Sequence, residues 1–423
     1  MNAGEAVSLR GRVQWYATAA AGPMASAAAQ FLLSLTLLAR LPVAEFGRLS
    51  FVFVVSQFSV GVWSALFTSP LLVLSAQVAN DAEASRARKE LAGLAMAARL
   101  ALVPAGLAFV MLARVVGLQP VPALLFGLFA TLVLQRQFAR VGATANGRYS
   151  RAMASDLTYS ALLLAGVAVL ALVPRAGELA ALAILALAVF GAMLPLATLH
   201  GLPSGRAVRD YVPVWHRDAR WSLIGVVSTE ATVNSHSYIV TALLGPAAYA
   251  PIAATVLFIR PVTVAVNALV EFERARAAHR IARREFAAIA QARLHLRLLL
   301  LAVWLGTAVL GALVIAFAPA QYMVGKFGLA TVVTGTVLWL GVALARLLHA
   351  PEGVILLAAG RFRQLAWISG WTAVVSLLAV FGLVMVLAPI HSIGGIVLGE
   401  GAFAFAAWRA TTRLLRTFQR TPE

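Results

Sequence analysis

Apolar residues fall in long blocks along this chain rather than in alternating or single-face patterns. Windows of about twenty residues delimit twelve of them: 16–39, 49–76, 91–112, 121–143, 153–173, 179–200, 221–244, 247–271, 297–318, 328–350, 364–388 and 393–411. A helix rises about 1.5 Å per residue, so a block of this length crosses the roughly 30 Å of bilayer hydrocarbon. The pattern predicts an all-α integral membrane protein with twelve transmembrane helices. Arg10 and Arg12 precede the first block, and small residues run from Ala17 to Ala29, as in a cleaved leader. Its apolar length of about 23 residues, with eleven blocks behind it, predicts an uncleaved first helix.

Polar residues inside such blocks are the informative exceptions, because hydrocarbon offers them no partner. Arg260 lies near the middle of the eighth block, about 16 Å from either end and beyond the reach of a snorkelling side chain. A guanidinium at mid-bilayer costs about 2.5–3.5 kcal/mol on insertion scales, so this one must face protein or water and meet an anion there. Pro251 and Pro261 interrupt the same block, and a broken helix at midplane marks a binding or hinge region. Glu230, Asn234, Tyr238 and Thr241 share one stripe of the seventh block, and Arg260, Thr263, Asn267 and Glu271 repeat the arrangement in the eighth. The first two blocks offer milder groups, Ser26, Gln30 and Ser34, then Gln57 and Ser64.

Stripes of this kind are costly against lipid and tolerable beside water, so blocks 1, 2, 7 and 8 are expected to wall one central cavity. The candidate substrate-binding residues are Arg260, Asn267, Glu230, Asn234, Tyr238, Gln30 and Gln57. The competing reading is a structural bridge from Arg260 to Glu230 or Glu271. Arg346, His349 and Glu352 form a second cluster, read as structural, and His236 reads as a hydrogen-bonded histidine facing a helix.

Composition agrees with the blocks. The chain is 61% hydrophobic and 12% charged, with a mean hydropathy of +0.88, which excludes a soluble domain. The net charge of +18 suggests nucleic acid until the charges are placed. With the N-terminus inside, segments on that side carry 27 of the 34 Lys and Arg and outside segments carry 5, leaving Arg260 and Arg346 within blocks. This asymmetry is the positive-inside rule, so both termini are expected in the cytoplasm and the excess charge reflects topology and anionic lipid, not nucleic acid. The longest inside loop, Glu273 to Arg297, reads as a basic amphipathic helix on the membrane surface, with Arg276, Arg280, Arg283 and Arg284.

Two internal echoes organise the chain. Ala145-Asn-Gly147-Arg148-Tyr149 returns as Ala358-Ala-Gly360-Arg361-Phe362, and Leu41-Pro42-Val-Ala-Glu-Phe46-Gly47 is echoed by Leu244-Gly245-Pro-Ala-Ala-Tyr249-Ala250. The two spacings, 213 and 203 residues, agree on two six-helix lobes, 1–205 and 206–423. The outside loops are too short to hold a catalytic domain. No H-E-x-x-H pair and no G-x-x-x-x-G-K-[ST] loop is present, and the chain lacks cysteine. No enzyme activity, metal or cofactor is called for, which leaves transport driven by a gradient.

The run Leu37-Leu-Ala-Arg40-Leu-Pro-Val-Ala-Glu-Phe46-Gly47 resembles the first external corner of Wzx-type polysaccharide flippases, in the multidrug/oligosaccharidyl-lipid/polysaccharide (MOP) exporter superfamily. Leu243-Leu-Gly-Pro246-Ala-Ala-Tyr249 resembles the corner between spans 7 and 8 of the same group, and the Gly-Arg-[Phe/Tyr] segments also fit. The resemblance extends over the whole two-lobe pattern. It implies a bacterial inner-membrane flippase that moves an undecaprenyl-pyrophosphate-linked oligosaccharide to the periplasmic leaflet by alternating access. Membrane lipids and the polysaccharide polymerase or export machinery are its implied partners. It also implies that Arg260 binds pyrophosphate or an acidic sugar while Gln30, Gln57, Asn234, Tyr238 and Asn267 bond sugar hydroxyls. The chain departs from many relatives at Ser235, His236 and Ser237, where they carry an acidic residue.

Alternatives remain at this level. A multidrug or cation antiporter of the same superfamily would use carboxylates such as Glu230. A sugar transporter of the major facilitator type fits less well, since Asn80 to Lys89 has no glycine. A polymerase or ligase would need a large external loop, and a non-transporting scaffold would need no polar stripes.

Overall fold

The computed structural model describes residues 9–78, 84–173, 177–196, 205–260, 285–317 and 323–420, with 262–264, 266, 269, 270, 273, 277, 280 and 281. These residues form helices and no strand. The order begins α1 (Leu9–Arg40), α2 (Val43–Trp63), a π-helical turn (Ser64–Thr68) and α3 (Ser69–Val78). Then come α4 (Ala84–Val115), α5 (Pro120–Ala145), α6 (Tyr149–Leu172) and α7 (Glu178–Met193). A linker of short turns runs through Gly205–Tyr211, Val212–Val214 and Trp215–Ala219 to α8 (Arg220–Val233) and α9 (Ser235–Leu244). After α10 (Pro246–Thr255) and a 3-10 turn (Val256–Ile259) follow α11 (Phe286–Phe317), α12 (Leu329–Ala358), α13 (Phe362–Val386) and α14 (Ile393–Arg420).

Ten stretches among the described residues are long and apolar enough to cross a membrane, and they correspond to predicted blocks 1 to 6 and 9 to 12. The chain is a multi-pass membrane protein. Blocks 7 and 8 are the exceptions: the first is broken at Asn234 between α8 and α9, the second begins with only Pro246–Ile259 as an apolar helix. Helix α11 starts at Phe286 rather than at the predicted 297. Its first turns are rich in Ala, Leu, Gln and Arg with no Gly or Pro, a run that continues a helix. Arg293 and Arg297, expected in a loop, therefore sit on α11. Arg276, Arg283 and Arg284 of the expected surface helix lie outside the described residues.

Two compact units are present. Unit 1 comprises residues 1–41 and 55–224, and unit 2 comprises 42–54 and 225–423. In unit 1, α6 packs on α1 and α7, and α4 packs on α5. A Cβ added at Gly166 would come within 2.1 Å of Ile184, so glycine here lets α6 and α7 approach. In unit 2, α14 packs on α12 and α13, with Gly395 and Gly399 set against Val380 and Ser376.

The first echo is structural as well as sequential. Gly147 and Gly360 both have φ +71°. Arg148 N–H donates to the Ala143 carbonyl and Gly147 N–H to Thr144, as Arg361 does to Leu356 and Gly360 to Leu357. Both are Schellman caps, which only glycine enters without strain. The second echo meets itself within unit 2, where a Cβ on Gly47 would lie 2.0 Å from the Pro246 carbonyl oxygen.

The linker is clipped to unit 1 at two points. The Tyr211 hydroxyl donates to the Leu66 carbonyl at 2.8 Å, inside the π-helical turn, and its ring lies 5.7 Å from that of Phe67. A π turn breaks the i to i−4 ladder and frees carbonyls for outside donors. Arg217 bridges Asp218 at 2.8 Å and the buried Glu90 at 3.0 Å, and Arg86 also donates to Glu90. Burial pushes the Tyr211 hydroxyl up to about 12, so it stays a donor.

Candidate functional site

Block 7 breaks where its sequence is least helical. Ser228 to Ser237 holds three serines, two threonines and an asparagine, residues whose side chains compete for backbone groups. Asn234 leaves the helix with φ −119° and ψ 6°, and α9 restarts as Ser237 N–H donates to the Asn234 carbonyl at 2.9 Å. The predicted stripe survives the break. Glu230 accepts from Asn234 Nδ2 at 3.0 Å and from the Tyr238 hydroxyl at 2.5 Å. The three candidates thus form one hydrogen-bonded group. The Tyr238 ring meets Phe51 edge-on at 6.0 Å, and Phe51 also meets Tyr249 at 6.4 Å. His236 is buried against Trp339 and Tyr249, with Nε2 3.1 Å from the Ser237 hydroxyl.

Arg260 follows the 3-10 turn in block 8, and its N–H closes that turn on the Leu257 carbonyl. Pro261, next in sequence, disfavours continuation of the preceding α-helix by its ring and missing N–H. The guanidinium is half-buried and makes no ion pair or hydrogen bond among the described residues; the Tyr249 hydroxyl is its electrostatic neighbour. The alternative bridge to Glu230 is absent, since Glu230 is engaged by Asn234 and Tyr238. Glu271 lies outside the described residues, as does Asn267.

The arginines inside other helical spans behave differently. Arg136 of α5 meets the buried Asp156 of α6 at 2.6 Å, and Arg140 meets it at 2.9 Å. Arg346 of α12 meets the buried Glu400 of α14 at 2.9 Å, and His349 Nε2 lies 2.8 Å from its other oxygen. Arg293 and Arg297 both meet the fully buried Glu352. The expected cluster of Arg346, His349 and Glu352 is therefore two clusters, because their partners lie on different helices. Asp156, near the start of the fifth block, is buried within unit 1 and paired with both arginines.

Of the two unit 1 candidates, Gln30 donates to the Tyr159 hydroxyl at 3.3 Å. Tyr159 lies beneath Arg136, 4.8 Å from the ring centroid, so Gln30 joins the Asp156 network. Ser26 lies 3.1 Å from Ser160 in the same network. Gln57 is exposed on α2 and makes no hydrogen bond among the described residues. Asp156, Arg136 and Glu400 were missed as interior residues. Arg136 and Arg140 fall inside the 121–143 block itself, which was the available signal.

No family model matches the sequence, and no curated protein matches it. Solved structures match nearly the whole chain. An inward-facing multidrug resistance MATE family transporter of the MOP superfamily aligns with TM-score 0.71 at 12% identity, over 96% of this chain and 100% of that one. An outward-facing MATE family transporter aligns with TM-score 0.58 at 13% identity, over 96% of each. A MOP superfamily transporter from Pyrococcus furiosus Vc1, described by a reverse polarity of its binding pocket, aligns with TM-score 0.63 at 14% identity, over 97% of this chain and 96% of that one. The structural neighbours are MATE and MOP transporters, and this chain has their fold.

Proposed function

We propose that this protein transports an amphipathic anion, a lipid-linked oligosaccharide, across a bacterial inner membrane by alternating access. One observation carries the reading. Arg136, Arg140, Arg293, Arg297 and Arg346 each meet a carboxylate, whereas Arg260 meets none among the described residues. A half-buried guanidinium that meets no anion among the described residues is available to one that arrives with the substrate, such as a pyrophosphate, through charge-assisted paired bonds. Glu230 does not neutralise it, being engaged by Asn234 and Tyr238, and the amide and hydroxyls of Asn234, Tyr238 and Thr263 suit sugar hydroxyls. The fold is found in both inward-facing and outward-facing neighbours, which supports alternating access. A polysaccharide polymerase is the expected consumer of the product.

The second reading, a multidrug antiporter, draws on the multidrug resistance of a MATE neighbour and on Glu230 as a cation-binding carboxylate. The two readings separate in one host. Arg260→Ala, Arg260→Lys and Glu230→Gln are expressed at matched level in a strain whose surface polysaccharide depends on this protein. Export is expected to fall at least tenfold with Arg260→Ala and less with Arg260→Lys, which keeps charge without the fork. Full export by Arg260→Ala would sink the flippase reading, and resistance to cationic drugs lost with Glu230→Gln would replace it by the second.

A further inference from the structure

Unmet hydrogen-bonding capacity gathers at one place away from Arg260. Arg280 Nη1, Arg293 Nε, Arg297 Nε and Glu352 Oε2 are all buried without a hydrogen-bond partner among the described residues. Glu352 takes both Arg293 and Arg297 on its Oε1, which leaves Oε2 unused. Arg280 approaches Glu273 only to 3.8 Å, outside hydrogen-bond range. A pocket opens beside these groups, lined by Arg280, Arg293 and Glu273 and by the apolar Ile289, Leu296, Val354 and Ile355. All of these residues belong to unit 2.

The unmatched atoms define what would fill the pocket. Two of them are N–H donors on pocket-lining guanidiniums, so the missing partner is an acceptor. Among the described residues of the cluster, Arg280, Arg293 and Arg297 stand against the carboxylates of Glu273 and Glu352, an excess of one positive charge that favours an anionic acceptor. Water would satisfy the donors without offsetting that charge. The apolar walls select a ligand with hydrocarbon next to its anionic group, and the pocket belongs to a multi-pass membrane protein, where such molecules are the solvent.

We propose that this pocket binds the phosphate group of an anionic lipid, with Arg280 and Arg293 donating to its oxygens. A phosphodiester of an anionic phospholipid and the phosphate of a polyprenyl carrier share this chemistry. The site does not depend on what Arg260 carries.

The test uses the purified full-length protein in phosphatidylcholine nanodiscs, titrated with phosphatidylglycerol, polyprenyl phosphate or inorganic phosphate. Bound adducts are read by native mass spectrometry. One of the two anionic lipids is expected to bind at least tenfold tighter than the zwitterionic phosphatidylcholine, and the ranking identifies the source. Arg280→Gln is expected to weaken that binding about tenfold, the loss of one charge-assisted bond. Arg293→Gln should do the same; it also disturbs Glu352, so Arg280→Gln, which leaves that pair intact, decides the matter if Arg293→Gln fails to fold. Arg413→Gln, on the exposed face of α14, should change nothing. No preference over phosphatidylcholine would overturn the proposal, as would an equal loss with Arg413→Gln or inorganic phosphate binding as tightly as the lipids.

Discussion

Glu400→Ala tests whether the cluster that ties α12 to α14 is structural. Glu400 is 4% exposed and accepts from Arg346 Nε at 2.9 Å and His349 Nε2 at 2.8 Å. Removing the carboxylate leaves a buried cation with no partner, which costs about 3–5 kcal/mol in a fully dry site. Arg346 retains 25% of its side-chain surface, so water recovers part of that and the lower end, about 3 kcal/mol, applies. At about 2–4 °C per kcal/mol for a unit of this size, the unfolding midpoint should fall by roughly 6–12 °C. The assay is intrinsic-fluorescence thermal unfolding in detergent, run beside Arg346→Met and the Glu400→Leu/Arg346→Met double variant. If the penalty is an unpaired charge rather than lost packing, the double variant should lie nearer to wild type than Glu400→Ala does. A midpoint within about 2 °C of wild type for Glu400→Ala, or additive losses in the double variant, would refute the reasoning.

Two further outcomes follow from the packing. Tyr211→Phe removes the donor to the Leu66 carbonyl and should cost about 1 kcal/mol; burial raises the folded hydroxyl to about 12, so this difference should be constant below the free value near 10 and vanish as pH rises towards 12, and a difference that grows in alkali would contradict the bond. Gly47→Ala drives a Cβ to 2.0 Å from the Pro246 carbonyl, a backbone atom that cannot rotate away, and should cost about 1–3 kcal/mol in the same unfolding assay, whereas Gly353→Ala, with open space at its Cβ, should not.

The helical blocks were legible because a bilayer demands internally satisfied backbone over a fixed length, and that demand is written in consecutive residues. The Glu230, Asn234 and Tyr238 group was legible for a related reason: its members are four residues apart, so helical geometry alone places them together. Of the two prolines expected to interrupt block 8, Pro251 lies inside α10, which continues through it, and Pro261 lies outside the described residues. The break at Asn234 was not foreseen, because a Ser- and Thr-rich run only weakens a helix and the tertiary setting decides where it yields. Glu400 was invisible as the partner of Arg346, 54 residues away, since no local period relates two helices. Arg136 and Asp156 were misplaced because charges near block ends were counted as loop charges under the positive-inside rule. That rule describes sidedness and does not say that a terminal arginine faces water.

Blocks 7 and 8 break two membrane rules at the same place. An uninterrupted helix is the low-cost way to satisfy backbone groups in lipid, yet both of these blocks are interrupted, one at Asn234 and one by the 3-10 turn before Arg260. They are also the blocks with the strongest polar stripes. Were the stripes structural, intact helices would have served, as they do for Arg346 and Glu400, whose long helices α12 and α14 run unbroken through the pair. Local violations of this kind, with a cation that meets no anion among the described residues, are expected where a site has been favoured over stability. Arg260 is thus distinguished from the five matched arginines less by its depth than by the broken helix that presents it.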